Sequence, residues 1–199
     1  MDVSIIANGP VQRGQWLKRH ITGTTIAVDG GADTCKKQRI VPDFVIGDFD
    51  SVTRKTLAAF KNTSTVLHVP DQSRTDLQKA LALAHKLKAK RIFIFGALGG
   101  NFDHELANML SLGDRCVMMD EKHVIRVTTK RAVLSRTHGH TVSVIALTNV
   151  YGLSYSGLVW KAPRRALPAG WIGVRNRLKT KRAVVTLRKG SVGIIQVKS

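Results

Sequence analysis

Residues 42–51 read Pro42-Asp43-Phe44-Val45-Ile46-Gly47-Asp48-Phe49-Asp50-Ser51. The apolar run at 44–47 has the length of a buried strand, and two carboxylates follow it at once. Working outward, short apolar runs at 3–7, 25–29, 65–69, 91–95 and 116–119 alternate with segments of helical character near 12–20, 31–38, 53–60, 75–88 and 102–112. Strand and helix in alternation predict βα units and a mostly parallel sheet. The clearest helix is the fourth, where Leu77, Ala80, Leu81, Ala84 and Leu87 recur at spacings of three and four and share one face. Thr75 stands where it would cap that helix.

Beyond residue 120 the pattern changes. Runs at 123–127, 132–134, 141–146, 153–156, 183–188 and 193–197 are separated by turn glycines, with no helical period between them. The expectation is an α/β domain over residues 1–120, followed by a small all-β domain over 121–199. Charge divides at the same place. The chain carries +19 overall, of which +4 falls in residues 1–120 and +15 in 121–199, where Glu121 is the sole acid. A field this positive attracts nucleotides, nucleic acid or acidic surfaces, and it also serves plain solubility.

Cys35 and Cys116 stand 81 residues apart with no CxxC, which points to ordinary buried thiols rather than a zinc or redox site. No run of 18 apolar residues occurs, and the N-terminus lacks the basic and apolar segments of a secretory signal. A cytoplasmic protein without a membrane span is expected.

The acids of the first region lie at the C-terminal ends of expected strands, the edge at which open α/β sheets bind ligands. Asp29 leads Asp29-Gly30-Gly31-Ala32-Asp33, and Asp48 and Asp50 follow the third strand. Asp76 opens the fourth helix, and Asp103 follows Gly99-Gly100-Asn101-Phe102. Carboxylates brought together repel unless a cation lies between them, and Mg²⁺ prefers oxygen ligands. A Mg²⁺–phosphate site is therefore expected. If the third strand continues, Asp48 and Asp50 point the same way and Phe49 turns into the core. Asp33, Asp43 and Asp71 read instead as turn or cap residues. Gly30-Gly31 and Gly99-Gly100 sit between strand and helix, where backbone N–H groups can approach phosphate. Neither GxxxxGK[ST] nor GxGxxG is present, which disfavours a P-loop kinase or an ordinary dinucleotide enzyme.

Four blocks in order, at 29–33, 42–51, 71–76 (Asp71-Gln72-Ser73-Arg74-Thr75-Asp76) and 96–108 (Gly96-Ala97-Leu98-Gly99-Gly100-Asn101-Phe102-Asp103-His104-Glu105-Leu106-Ala107-Asn108), resemble the thiamine pyrophosphokinase family. The resemblance implies an N-terminal α/β nucleotide domain and a C-terminal β-sandwich. It also implies transfer of pyrophosphate from ATP to thiamine with Mg²⁺, releasing AMP, in a homodimer whose acceptor sites are shared between subunits. By resemblance, Asp48, Asp50 and Asp76 are the metal and catalytic acids, with Asp76 the candidate base. Asp29, Gly30, Gln72, Arg74, Thr75, Gly99, Gly100 and Asn101 match the ATP side. Asp103, His104, Trp160, Arg175 and Asn176 match the thiamine side, with Trp160 in Gly157-Leu158-Val159-Trp160 offering a face for a cationic ring. Without the resemblance, Trp160 and Trp171 read equally well as core aromatics.

Two positions depart from the family pattern. Asn101 stands where an arginine is common, and Arg175 stands where a serine usually precedes the asparagine. Three other readings stay open: a pyrophosphokinase for a hydroxymethylpterin, a catalytically inactive relative, and a nucleic-acid-binding module built on Lys161, Arg164, Arg165, Arg175, Arg177, Lys179, Lys181 and Arg182.

Overall fold

The computed structural model describes residues 1–11 and 13–198. The chain separates into two compact units, one of Met1–Ser111 with Met118–Asp120 and one of Leu112–Val117 with Glu121–Ser199. It combines parallel strands with antiparallel sheets and few helices.

In the first unit β1 (Asp2–Ile6), β2 (Thr24–Val28), β3 (Phe44–Gly47), β4 (Thr65–His68) and β5 (Arg91–Phe95) pair in the order β5-β1-β2-β3-β4, every pair parallel. Helices α1 (Gly14–His20), α2 (Gly31–Lys37), α3 (Arg54–Phe60), α4 (Asp76–Lys86) and α5 (Phe102–Leu110) alternate with them. The helix expected from residue 12 begins at Gly14, and residue 12 itself lies outside the described residues. Because the five strands run in one direction, their C-terminal ends open on one edge, and the loops that follow them gather there. Ile5, Ile26, Ile92, Ile94 and Phe95 are fully buried, each contributing roughly 1.5–3 kcal/mol relative to exposure.

Helix α4 is built by its sequence. Thr75 and Gln78 form a reciprocal capping box, in which the Gln78 N–H donates to Thr75 Oγ1 at 3.3 Å and the Thr75 N–H to Gln78 Oε1 at 3.0 Å. Such a cap contributes about 1 kcal/mol. Leu77, Ala80, Leu81 and Ala84 are buried on one face, and Lys79, off that face, is buried as well, against expectation for a charged residue.

Strand β6 (Cys116–Met119) is divided between the units. In the second unit β7 (His123–Thr128), β9 (Thr141–Ala146), β11 (Ile172–Arg177) and β13 (Val192–Val197) pair antiparallel in the order β11-β9-β13-β7. A second antiparallel sheet has the order β10 (Ser154–Ser156), β12 (Arg182–Thr186), β8 (Arg131–Ser135). Leu134 and Val185 of the three-stranded sheet join Val142, Val144, Val192 and Ile194 of the other in one core.

Two features depart from the expected pattern. Strand β11 was not expected, because Gly173 and Arg175 break its alternation. The register shifts between Gly173 and Asn176, with Arg175 at φ +57°. The β region also holds one short 3-10 turn, Arg136–His138. Both cysteines are free and buried, and burial pushes the Cys35 thiol up to about 12. Among the described residues no helix is long and apolar enough to cross a membrane.

Candidate functional site

A cavity of about 690 Å³ opens at the C-terminal edge of the parallel sheet. Every strand-end loop identified from the sequence contributes to it. Asp29 follows β2, Asp48 and Asp50 follow β3, residues 72–76 lead into α4, and Gly100, Asn101 and His104 lie beyond β5.

Asp29, Asp48 and Asp50 each bring a carboxylate oxygen within 4.8 Å of the others. Strand continuation does not cause this convergence. Strand β3 ends at Gly47, and Phe49 takes a left-handed φ of +66°, so the chain turns between the two acids. Phe49 accordingly does not enter the core; it is half-buried and stacks on His68 with ring centroids 5.4 Å apart. The turn is held by its own polar groups. The Asp50 N–H donates to Asp48 Oδ1 at 3.3 Å, and Gln72 Nε2 donates to Asp48 Oδ2 at 3.2 Å. The Asp50 amide above all, with Gln72 adding to it, holds the Asp48 carboxyl below its ordinary value.

Asp29 is 3% exposed and also left-handed, at φ +46°. Its Oδ2 accepts the Ser51 N–H at 3.3 Å, whereas the buried Oδ1 has no hydrogen-bond partner. Burial raises its carboxyl above the ordinary value, the Ser51 bond opposes this, and the neighbouring Asp50 charge adds to the rise. A buried carboxylate with one oxygen lacking a donor, grouped with two further carboxylates, fits a hard divalent cation.

Asp76 lines the same cavity but stands outside this group of three; its Oδ1 accepts from Lys79 Nζ at 2.7 Å. Asp29, placed on the ATP side by resemblance, is the third member instead. The turn and cap readings agree with the bonds observed. Asp33 accepts from Thr53 and Thr56, and Asp43 accepts the Thr25 N–H at 2.7 Å. Asp71 accepts from the Ser73 hydroxyl at 2.6 Å, the Ser73 N–H at 2.9 Å and Arg74 Nε at 2.9 Å, which together lower its carboxyl to about 2.

The glycines divide into two kinds. A Cβ on Gly31 would strike the Ile6 carbonyl, so that residue is small for packing. Gly99, at φ +83°, occupies a turn that other residues resist, and its N–H donates to Glu105 Oε1 at 2.8 Å. Gly100 has open space around it. Asn101 precedes α5 without making a side-chain cap. Asp103 does not line the cavity; its Oδ1 accepts the His104 N–H at 2.9 Å. Sequence reasoning passed over Asn8, Gly9, Pro10, Lys79, Glu105 and Asn108, all of which line the cavity. For Lys79 the signal was weak: a lysine three residues after Asp76, off the stripe that carries Leu77 and Ala80.

In the second unit Trp160 is 53% exposed, and the Arg177 guanidinium lies 6.0 Å from its ring centre. The exposure removes the core reading for Trp160, while Trp171 does pack against the core. Asn176 is buried beneath Trp160. Its Nδ2 donates to the Trp160 carbonyl at 2.9 Å, and its Oδ1 accepts the N–H groups of Trp160 at 3.1 Å and Arg177 at 2.8 Å. Arg175 is exposed at the bulge, where its N–H donates to Ser143 Oγ at 3.2 Å.

Comparison with known proteins converges on one family. The model described as "Thiamin pyrophosphokinase, catalytic domain" matches residues 19–124, more than half of the chain. A thiamine pyrophosphokinase of Bacillus subtilis is 35% identical over 115 residues, covering 54% of this chain and 52% of that protein. Thiamine pyrophosphokinase 3 of Oryza sativa is 32% identical over 120 residues, covering 54% and 43%. The chain thus spans about half the length of the curated relatives it matches. Its fold is that of a crystallised Bacillus subtilis thiamine pyrophosphokinase, with a TM-score of 0.86 at 23% identity and all of both chains covered. A Candida albicans thiamin pyrophosphokinase superimposes with a TM-score of 0.82 at 16% identity, over 99% of this chain and 89% of that one. With the acidic turn of residues 48–50, the α4 cap and the α5 loop all inside the matched segment, the chain belongs to the thiamin pyrophosphokinase family.

Proposed function

We propose that this protein transfers a pyrophosphoryl group from ATP to the hydroxyethyl group of thiamine, giving thiamine diphosphate and AMP. The observation that carries the reading is the Asp29–Asp48–Asp50 group, with its unpartnered buried oxygen, in the lining of a cavity to which all four family blocks contribute. Asp48 and Asp50, with Asp29 and Asp76 lining the same cavity, would hold Mg²⁺. The ion supplies neutralisation of charge on the phosphate chain.

The chain's own part is positioning. The acceptor hydroxyl oxygen bonds to the β-phosphorus, the bond from that phosphorus to the α,β-bridging oxygen breaks, and AMP leaves with the bridging oxygen. The hydroxyl proton passes to a carboxylate, for which Asp76 is our candidate. No protein nucleophile is required, because in-line transfer depends on alignment and charge. Gln72, Arg74, Thr75, Gly30, Gly99, Gly100 and Asn101 contact the nucleotide. Asp103, His104, Trp160, Arg175 and Asn176 serve the acceptor. Residues 121–199 are read as a β-sandwich acceptor domain, and residues 1–120 as the ATP and Mg²⁺ domain. The working form is a cytoplasmic homodimer, for which light scattering should give two chains per particle.

Incubation with ATP, Mg²⁺ and candidate alcohols, followed by separation of AMP from ADP, tests the reaction. AMP formed with thiamine is the expected result. AMP formed only with a hydroxymethylpterin would reassign the acceptor, and ADP would overturn the reaction class.

A further inference from the structure

The cavity is lined by five acids, Asp29, Asp48, Asp50, Asp76 and Glu105, and among the described residues by two Lys or Arg side chains, Arg74 and Lys79. The two cations differ in kind. Arg74 has a side chain 52% exposed and already engaged by Asp71. Lys79 has a side chain 3% exposed, one turn along α4 from Asp76 and on the lining of the cavity. An ammonium carries three N–H donors, and the contact with Asp76 uses one. A buried cation with donors to spare, on the wall of an acid-lined cavity, is equipped to receive an anion. Its charge is felt at Asp48, whose carboxyl it helps to hold low.

We infer that Lys79 is a phosphate-binding residue, its ammonium shared between Asp76 and a phosphate oxygen of the nucleotide. The inference deepens the ATP reading above and rests on it. It assigns Lys79 a role beyond neutralising Asp76. A purely structural partner would matter for stability and not for the phosphate chain. A phosphate ligand makes charge-assisted bonds that vanish with the charge, whatever the fold does.

Asn101 supplies an independent handle. It lines the same cavity, at the start of α5, and its side chain makes no capping bond, so a cation can be placed there without removing a support of the helix.

The experiment is calorimetric binding of α,β-methylene ATP with Mg²⁺, an analogue in which the bond to be broken is blocked, with adenosine as the phosphate-free control. Lys79→Met should weaken the analogue roughly ten- to hundred-fold while leaving adenosine unchanged. Adding Asn101→Arg to Lys79→Met should recover about ten-fold, since a charge is returned to the cavity but not to Asp76. If Lys79→Met leaves Asp76 uncompensated and the protein unfolds, Asp76→Asn with and without Lys79→Met gives the same comparison with no orphaned carboxylate. Equal analogue affinity with and without Lys79, in a protein that binds the analogue, overturns the inference alone. Recovery absent in the double variant, or parallel loss of adenosine, also overturns it by reducing Lys79 to a structural role. A wild-type protein that does not bind the analogue overturns the nucleotide reading and this inference with it.

Discussion

The acidic turn of the first unit and the Trp160 segment of the second hold their side chains by opposite means. Around Asp48 and Asp50 the backbone is irregular, with left-handed Asp29 and Phe49; Asp48 accepts from the Asp50 amide and Gln72, and Asp50 from the Ser51 hydroxyl. Around Trp160 the backbone is clamped from beneath by the buried Asn176, while the ring lies open to solvent. The first arrangement concentrates like charges and leaves an oxygen orphaned; the second satisfies every polar atom of its asparagine and exposes an apolar face. Charge repulsion at the acidic turn is a local debt that a cation relieves, so substitutions there should affect chemistry far more than folding. Substitutions at the Trp160 segment should separate binding from stability according to whether ring or clamp is removed.

The largest effect is expected at the turn. Asp48→Asn or Asp50→Asn should lower kcat on the order of a hundred-fold or more with an unchanged circular dichroism spectrum, because neutralisation at the phosphate chain is lost. Near-normal turnover in both variants across a Mg²⁺ titration would break the assignment. In the second unit, Trp160→Ala should raise the thiamine KM about five- to thirty-fold through lost stacking and cation–π attraction, with little change in Tm. Asn176→Ala should instead cost about 1–3 kcal/mol of stability, read by urea denaturation, since two backbone N–H groups and a carbonyl lose their partner. Equal behaviour of the two variants would erase the distinction between ring and clamp.

A smaller effect separates folding from function at Asp29. Its folded carboxyl is raised above the unfolded value, so its stabilising contribution is present below the unfolded value and is lost as pH rises through the folded one. Metal-free protein should therefore weaken as pH climbs from about 4 upward through the raised value, and Asp29→Asn should flatten that part of the profile. At neutral pH the variant should melt higher, by roughly 2–4 °C for each kcal/mol relieved, and should lose the Mg²⁺-dependent rise in Tm. The smallest effect concerns the cationic second unit. Raising salt from low to physiological strength should reduce kcat/KM for ATP a few-fold with kcat nearly constant, because steering acts over about 10 Å at 0.1 M salt. Tight retention of generic RNA near physiological salt, with kcat/KM indifferent to ionic strength, would assign that charge to a polyanion instead.

Much of this was legible in the sequence because its signals are local. Alternating apolar runs give the parallel strands, and the spacing of Leu77, Ala80, Leu81 and Ala84 gives α4 with its cap at Thr75. The acids at strand ends needed only the rule that parallel strands share an edge. What escaped depended on backbone geometry or on distant neighbours. The turn at Phe49 reverses the inference that Asp48 and Asp50 align by continuing a strand, although the acids meet all the same. Strand β11 is hidden by a bulge at Arg175 that breaks the two-residue period. Asn8 enters the site only because β1 lies between β5 and β2 in the sheet, an order that residues 1–11 do not encode by themselves. Lys79 was passed over because its burial is set by what α4 packs against.

The Asn176 clamp grips main-chain atoms of residue 160 and none of its side chain. The support is thereby indifferent to the identity of the residue it displays. Over evolutionary time the group at 160 can be exchanged in a single step while its carrier stays in place, so a lineage can change the exposed side chain here without first acquiring a compensating change in the scaffold. The asparagine has no such freedom, and the two positions should drift at very different rates.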